Sequence, residues 1–363
     1  MVQRRKVMGS VGRAGLAGVL AAGVAPAVHA AAVVRWRLAS SFPKPLDTIY
    51  GGAETFARKV FQMSGGRFQI SVHPAEELMP ALAVVDGVEH GTIEACHTAA
   101  YYFFEKNEAF ALGAAIPFGM NSRQLTAWMY EGNGLSLTRE FYAGYNAVNF
   151  PCGNTGAQMG GWFRKEIRNV EDMQGLKFRI GGFGGRVIQR LGAIPLNIPG
   201  GEIYAALESG RIDAAEWIGP YDDHRLGFYK VAPYYYYPGW WEGALQLDLL
   251  VNQRAYNALS REYQAMVEAA STFAHVDMQA RYDARNPHAL KQLVGARAKV
   301  LAFPKPVLDA SYEAALDIYR ELDVSNPDWK KMYADYRTFQ KDQLLWARFA
   351  EARFDSYMQG VRL

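Results

Sequence analysis

Arg179 stands in the run GLKFRIGGFGGRVIQRLG, residues 175–192, where a basic fork meets a cluster of glycines. Two chemistries want such a run. Glycines between a strand and a helix can cradle a dinucleotide phosphate. A guanidinium beside free backbone N–H groups at a helix start can instead hold a small carboxylate. The spacing excludes the first, because after Gly182 and Gly184 the third glycine of G-x-G-x-x-G is replaced by Val187. Nor does a clear acid close a second strand where a ribose hydroxyl would need one. The carboxylate remains, with Arg179 at the carboxyl end of the strand KFRIGG and a helix starting at Gly184–Gly185.

Something must position that arginine. RWRLAS and RFQISVHP read as strands, GGAETFARKVFQMSGG and LMPALAVVDGVEHG as helices closed by glycine, and TIEACHTAAYYF as a further apolar strand. This rhythm predicts an α/β domain with a mainly parallel sheet. Residues 88–95 read VEHGTIEA and residues 207–214 read LESGRIDA, an echo that two lobes of related build would leave. Ligands of such lobes sit at the carboxyl ends of strands. The segments that follow each echo, ACHTAAYYF and AAEWIGPYDDH, are therefore expected to face one cleft.

Beyond residue 255 the chain reads as helical. One pattern ends near Pro287, and the last, DWKKMYADYRTFQKDQLLWARFAEARFDSYMQG, has no internal Pro or Gly before its end. So long and apolar a helix must bury its stripe on the body or on another subunit.

The first thirty residues have a basic start, a small-residue apolar core and a VHA end, the layout of an export signal. The Arg4–Arg5 pair leaves both the twin-arginine and the ordinary secretory route open. Removing its four basic residues leaves 35 basic against 36 acidic, a net charge of −1 in place of +3. No basic block survives to address nucleic acid or a membrane surface. Two cysteines, Cys96 and Cys152, exclude a disulfide-dense scaffold and leave one bridge or two buried thiols open.

Three blocks in fixed order, GLKFRI, VIQRLGAIP and EIYAALESGRIDAAEW, carry a family resemblance. The chain resembles the solute-binding proteins of tripartite ATP-independent periplasmic (TRAP) transporters over nearly its whole length. AEWIGPYDD, YPGWWEG and NTGAQMGGWF are similar to the subgroup that binds 2-oxo and 2-hydroxy monocarboxylates with a metal ion, most of all its sodium-dependent 2-oxo acid binders. The resemblance implies a two-lobed α/β periplasmic binding protein fold with a hinge, a central cleft and a long C-terminal helix. It sets the export signal at 1–30, one lobe at 31–152 with 243–282, and the other at 153–242 with 283–325. Residues 326–363 are the helix, expected to dimerise, and the implied partners are transporter membrane subunits. It further implies that Arg179 clamps the ligand carboxylate. Gln158 stands where dicarboxylate and sialic-acid binders carry a second arginine.

In such a site Glu216 would repel an anionic ligand unless a cation lay between them. Expected donors to that cation are Glu216, the Gln158 amide, the Trp217 carbonyl and Glu242. Tyr101, Tyr102, Phe103, Trp217, Trp240 and Trp241 are candidate walls, and Asn154 a candidate polar contact. Arg179, Glu216, ligand and sodium sum to zero charge; Glu242 as a further ligand would call for calcium instead. Micromolar binding needs about 8 kcal/mol, and six heavy atoms supply at most about 9. An enclosed site is therefore expected, with hinge crossings near 150–154 and 240–245. Alternatives are a 2-hydroxy acid receptor with calcium and a secreted hydrolase using Glu216 and Glu242.

Overall fold

Alternation in the first strand buries Trp36 and Leu38 and leaves Arg35 and Arg37 outside, and this pattern seeds the first sheet. The computed structural model describes Val33–Val361, so the export segment lies outside the described residues. The strands run β1 (Val34–Ser40), β2 (Phe68–His73), β3 (Ala95–Thr98), β4 (Ala147–Asn154), β5 (Trp162–Phe163) and β6 (Lys177–Arg179). There follow β7 (Ile194–Leu196), β8 (Ala214–Ala215), β9 (Tyr234–Tyr237), β10 (Gln246–Asn252) and β11 (Lys299–Ala302).

They form two sheets, ordered β2-β1-β3-β10-β4 and β11-β9-β5-β8-β6-β7. Each is the core of one lobe. The expectation of a mainly parallel sheet needs correction. β2, β1 and β3 are parallel, but β10 returns from the second lobe and pairs antiparallel with both β3 and β4. The second sheet is mixed for the same reason, with β5 antiparallel to its two neighbours.

The chain leaves the first sheet after Asn154 and returns through the stretch between Tyr237 and Gln246. The two crossing segments are tied together: Thr155 N–H donates to the Leu245 carbonyl at 3.0 Å, and Leu245 N–H to Thr155 Oγ1 at 3.2 Å. Away from the crossings the lobes touch at Arg186–Glu108 (3.0 Å) and at Asp47, which accepts from Tyr221 Oη (3.0 Å) and Arg285 Nη1 (3.1 Å).

Three expectations about the elements are corrected. The helix thought to end near Pro287 runs unbroken from Arg261 to Gly295, because its continuation buries Ala289 and Leu293. Packing outweighs the N–H that proline lacks. The final helix is two, Pro327–Phe349 and Glu351–Gln359, with non-helical backbone at Ala350. Only its first turns are buried, through Trp329, Met332, Tyr333 and Tyr336. Farther on no body surface holds it straight, and Arg123 of the first lobe pairs with Glu351 just past the break. Third, AYYF at 100–103 is a short 3₁₀ turn following β3, not more strand.

Both cysteines are free and fully buried. They lie in separate hydrophobic clusters, Cys96 with Val84 and Val88, Cys152 with Leu38 and Phe56. Burial pushes both thiols far above the ordinary cysteine range.

Candidate functional site

β6 and β8 lie parallel and adjacent, with Arg179 opposite Ala215. Their carboxyl ends therefore deliver Arg179 and Glu216 to one point, and the Glu216 N–H donates to the Arg179 carbonyl at 3.1 Å. Both side chains are only 1% exposed. Arg179 Nε donates to the Ile198 carbonyl at 3.0 Å and Nη1 to the Glu216 carbonyl at 2.8 Å. Nη1 also pairs with Glu216 Oε1. The Trp217 ring lies 5.2 Å from the guanidinium carbon, in cation–π range. Burial works against the Arg179 charge, but Glu216, then Tyr102 and Tyr101, more than restore it. The Glu216 carboxyl is pushed up by burial and pulled back by Arg179 and the Gly181 N–H, burial being the larger.

The glycines have a reason other than phosphate. Gly182 opens the helix Gly182–Arg190 with φ +54, a conformation that side chains with a Cβ rarely adopt. A Cβ on Gly181 would stand 2.9 Å from the Tyr101 ring, and one on Gly182 3.1 Å from it. The run is bare where the Tyr101 ring packs against it.

Gln158 and Glu242 lie on the two crossing segments, joined by a Gln158 N–H to Glu242 carbonyl bond of 3.3 Å. Burial, then the Glu216 charge, holds the Glu242 carboxyl well above the ordinary range, while Tyr101 and Arg179 act the other way. Three buried acceptors here lack a protein partner: Glu216 Oε2, Glu242 Oε2 and Gln158 Oε1. Such atoms are costly to bury bare. Two carboxylates and an amide form a hard oxygen set, which fits sodium or calcium and not a thiophilic metal. Among the described residues no group of three or more His, Cys, Asp or Glu gathers as a metal site.

The other expected residues are placed as follows. Tyr102 is half-buried, and Arg179 is the first group to offset the burial that pushes its hydroxyl up to about 12. Asn154 Oδ1 accepts from Gly156 N–H at 2.9 Å, and its Nδ2 is buried without a partner. Phe103 packs on Phe110, with ring centroids 6.1 Å apart, among the core aromatics of the first lobe. The hydroxyls of Tyr101 and Tyr102, before it in the same turn, are the ones that feel Glu242, Glu216 and Arg179. The four tyrosines Tyr234–Tyr237 form the sheet strand β9. Ile198, which anchors Arg179, was not foreseen; it acts through its carbonyl, and a backbone role leaves no residue-type signal.

The model of the bacterial extracellular solute-binding proteins, family 7 (DctP), matches residues 39–326. A monocarboxylate 2-oxoacid-binding periplasmic protein of Nostoc is 45% identical over 89% of this chain and 89% of its own. A TRAP transporter solute-binding protein of Bordetella bronchiseptica superposes with TM-score 0.89 at 49% identity, covering 90% of this chain and 97% of that one. That crystal is a mixed-occupancy dimer with copurified calcium and picolinate in one site and the other apo. A TRAP periplasmic solute-binding protein of Pseudoalteromonas atlantica, with bound sodium and pyruvate, gives TM-score 0.86 at 39% identity over 91% and 100% of the chains. The chain belongs to the family 7 solute-binding proteins of TRAP transporters, and is thus a receptor rather than the hydrolase that Glu216 and Glu242 could have suggested.

Proposed function

We propose that this chain captures a short 2-oxo monocarboxylate of pyruvate size together with a cation, and delivers it to the membrane subunits of a TRAP transporter. The observation that carries the reading is the buried Arg179–Glu216 pair beside three unpartnered acceptor oxygens. Arg179 holds the ligand carboxylate, with the Ile198 and Glu216 carbonyls fixing the fork in place. Glu216, Gln158 and Glu242 hold the cation, with the Trp217 carbonyl as a fourth donor. When bound, the ion neutralises the repulsion between Glu216 and the ligand and offers its field to the adjacent carboxylate and keto oxygens. Names of relatives support the ligand class: the Nostoc protein binds 2-oxo acids and the Pseudoalteromonas structure holds pyruvate.

Sodium is the ion that the resemblance implies, and it balances the site if Glu242 stays protonated. A second reading, calcium, follows from the place of Glu242 within the site: a second ionised carboxylate calls for a divalent ion. Intrinsic Trp fluorescence tests both, with pyruvate, lactate or succinate added in sodium, calcium or chelator. Saturable quenching by pyruvate, dependent on one ion and without product, is expected. Preference for succinate, or steady loss of pyruvate, would overturn the reading.

The receptor is further proposed to be a homodimer through its C-terminal helices. Past Tyr336 these present Leu345, Trp346 (58% exposed), Phe349 (77%) and Phe354 (66%) to solvent, more apolar surface than a lone chain normally shows. Light scattering at micromolar concentration should give a dimer for the parent chain and a monomer for the double variant Trp346→Glu, Phe349→Glu. A monomeric parent removes the proposal.

A further inference from the structure

Trp217 serves the site through its carbonyl and its ring, yet it lies beyond the end of β8 (Ala214–Ala215). The backbone is tied on either side of it, at Glu216 N–H to the Arg179 carbonyl (3.1 Å) and at Met159 N–H to the Ile218 carbonyl (3.0 Å). The side chain must help to set the residue between. Its six-membered ring is seated on Gly200, where a Cβ would stand 2.3 Å from it. The other edge ends in Nε1, a donor buried without a partner.

Asp222 faces that edge from the helix Pro220–Leu226 and is fully buried. Burial pushes its carboxyl up to about 7, while the Tyr282 hydroxyl and, more weakly, the Trp217 indole pull it back. Asp222 Oδ2 accepts from Tyr282 Oη at 2.8 Å, but Oδ1 is buried without a partner. An orphan donor and an orphan acceptor thus stand close together, each costly to bury bare. Tyr282 belongs to the helix Arg261–Gly295, which is rooted in the first lobe by Val267, Ala270 and Ala274, in one cluster with Trp36 and Phe150. Asp222 is therefore gripped from outside the cleft. We propose that Asp222 is a positioning residue: when ligand and cation enter, its free oxygen takes the Trp217 indole N–H and fixes that residue with its carbonyl on the ion and its ring over Arg179. The proposal rests on the reading of the Trp217 carbonyl as a cation donor. Asp222 itself touches neither ligand nor ion.

The test is calorimetric titration with pyruvate, run in sodium and in calcium. Asp222→Ala should weaken binding about tenfold or more, because the indole N–H is left bare in the bound state. Asp222→Asn offers an amide oxygen to the same N–H and should bind within about threefold of the parent. Trp217→Phe keeps a ring on Gly200 and loses the donor. In that background Asp222→Ala should cost less than about threefold more, since the bond is already gone. Equal losses in both backgrounds would show that Asp222 acts through the fold at large, and the proposal would fall. It would also fall if Asp222→Ala bound like the parent. Should Asp222→Ala fail to fold, the parent chain still decides. With nitrogen-15 in its indoles, the Trp217 N–H signal, assigned by its loss in Trp217→Phe, should move downfield and exchange more slowly as pyruvate saturates the site. A signal that does not move overturns the proposal. A parent chain that binds pyruvate in neither ion would overturn the receptor reading itself, and the role of Asp222 with it.

Discussion

Pyruvate binding should weaken about a thousandfold, ~4 kcal/mol, when Arg179 is replaced by lysine. The cause is geometric. Arg179 spends Nε on the Ile198 carbonyl and Nη1 on both the Glu216 carbonyl and its carboxylate, and the rest of the fork faces the Tyr102 hydroxyl. An ammonium is a point charge and cannot reach all of these at once. Each buried acceptor it abandons costs roughly 1–3 kcal/mol, and the paired hydrogen bonds to the ligand carboxylate go as well. The positive charge survives, but the abandoned acceptors belong to the protein, so the melt should fall as well, while the lost hydrogen bonds to the ligand weaken affinity. Calorimetric titration beside a thermal melt separates the two. Unchanged affinity would place the ligand somewhere other than Arg179.

Glu216→Ala should be the more damaging change to the chain itself. It strands a guanidinium that is 1% exposed, and an uncompensated buried charge costs ~3–5 kcal/mol. For a chain of this size that corresponds to a drop of roughly 10 °C in the ligand-free melt. Glu216→Gln keeps an acceptor for Nη1 and should melt closer to the parent. Because it lacks the negative charge, it should still lose the ion dependence of pyruvate binding. A Glu216→Ala chain that melts like the parent would show that Arg179 finds another partner or water.

Much of this was readable in the sequence where a residue's role follows from its strand. Arg179 ends KFR and Glu216 follows the paired Ala214–Ala215, so the parallel register alone brings them together. The echo rightly pointed to two α/β lobes, although its second half supplies only a two-residue strand. What could not be read is the direct pairing of Arg179 with Glu216, expected instead at opposite ends of a ligand. Local pattern also did not separate Phe103, which packs on Phe110, from Tyr101, which lies against Gly181 and Gly182. In a 3₁₀ turn, side chains fan out with a period that neither a strand nor an α-helix prepares one for. Gln158 and Glu242 sit in crossing segments, which have no periodicity to single them out, and only the blocks of the family resemblance drew attention to them. At Pro287 and Ala350 the deciding forces were tertiary: buried Ala289 and Leu293 kept one helix going, and an ion pair to Arg123 accompanies the bend in the other.

The two sulfhydryls, each sealed in its own apolar nest, bear on how the protein can mature. No covalent staple is required, so folding does not wait on an oxidase, and mild reductant should leave the native state intact. Nor do peroxide or glutathione find a thiolate to attack, because neither sulfur reaches solvent. The polypeptide can thus complete its architecture on either side of a membrane.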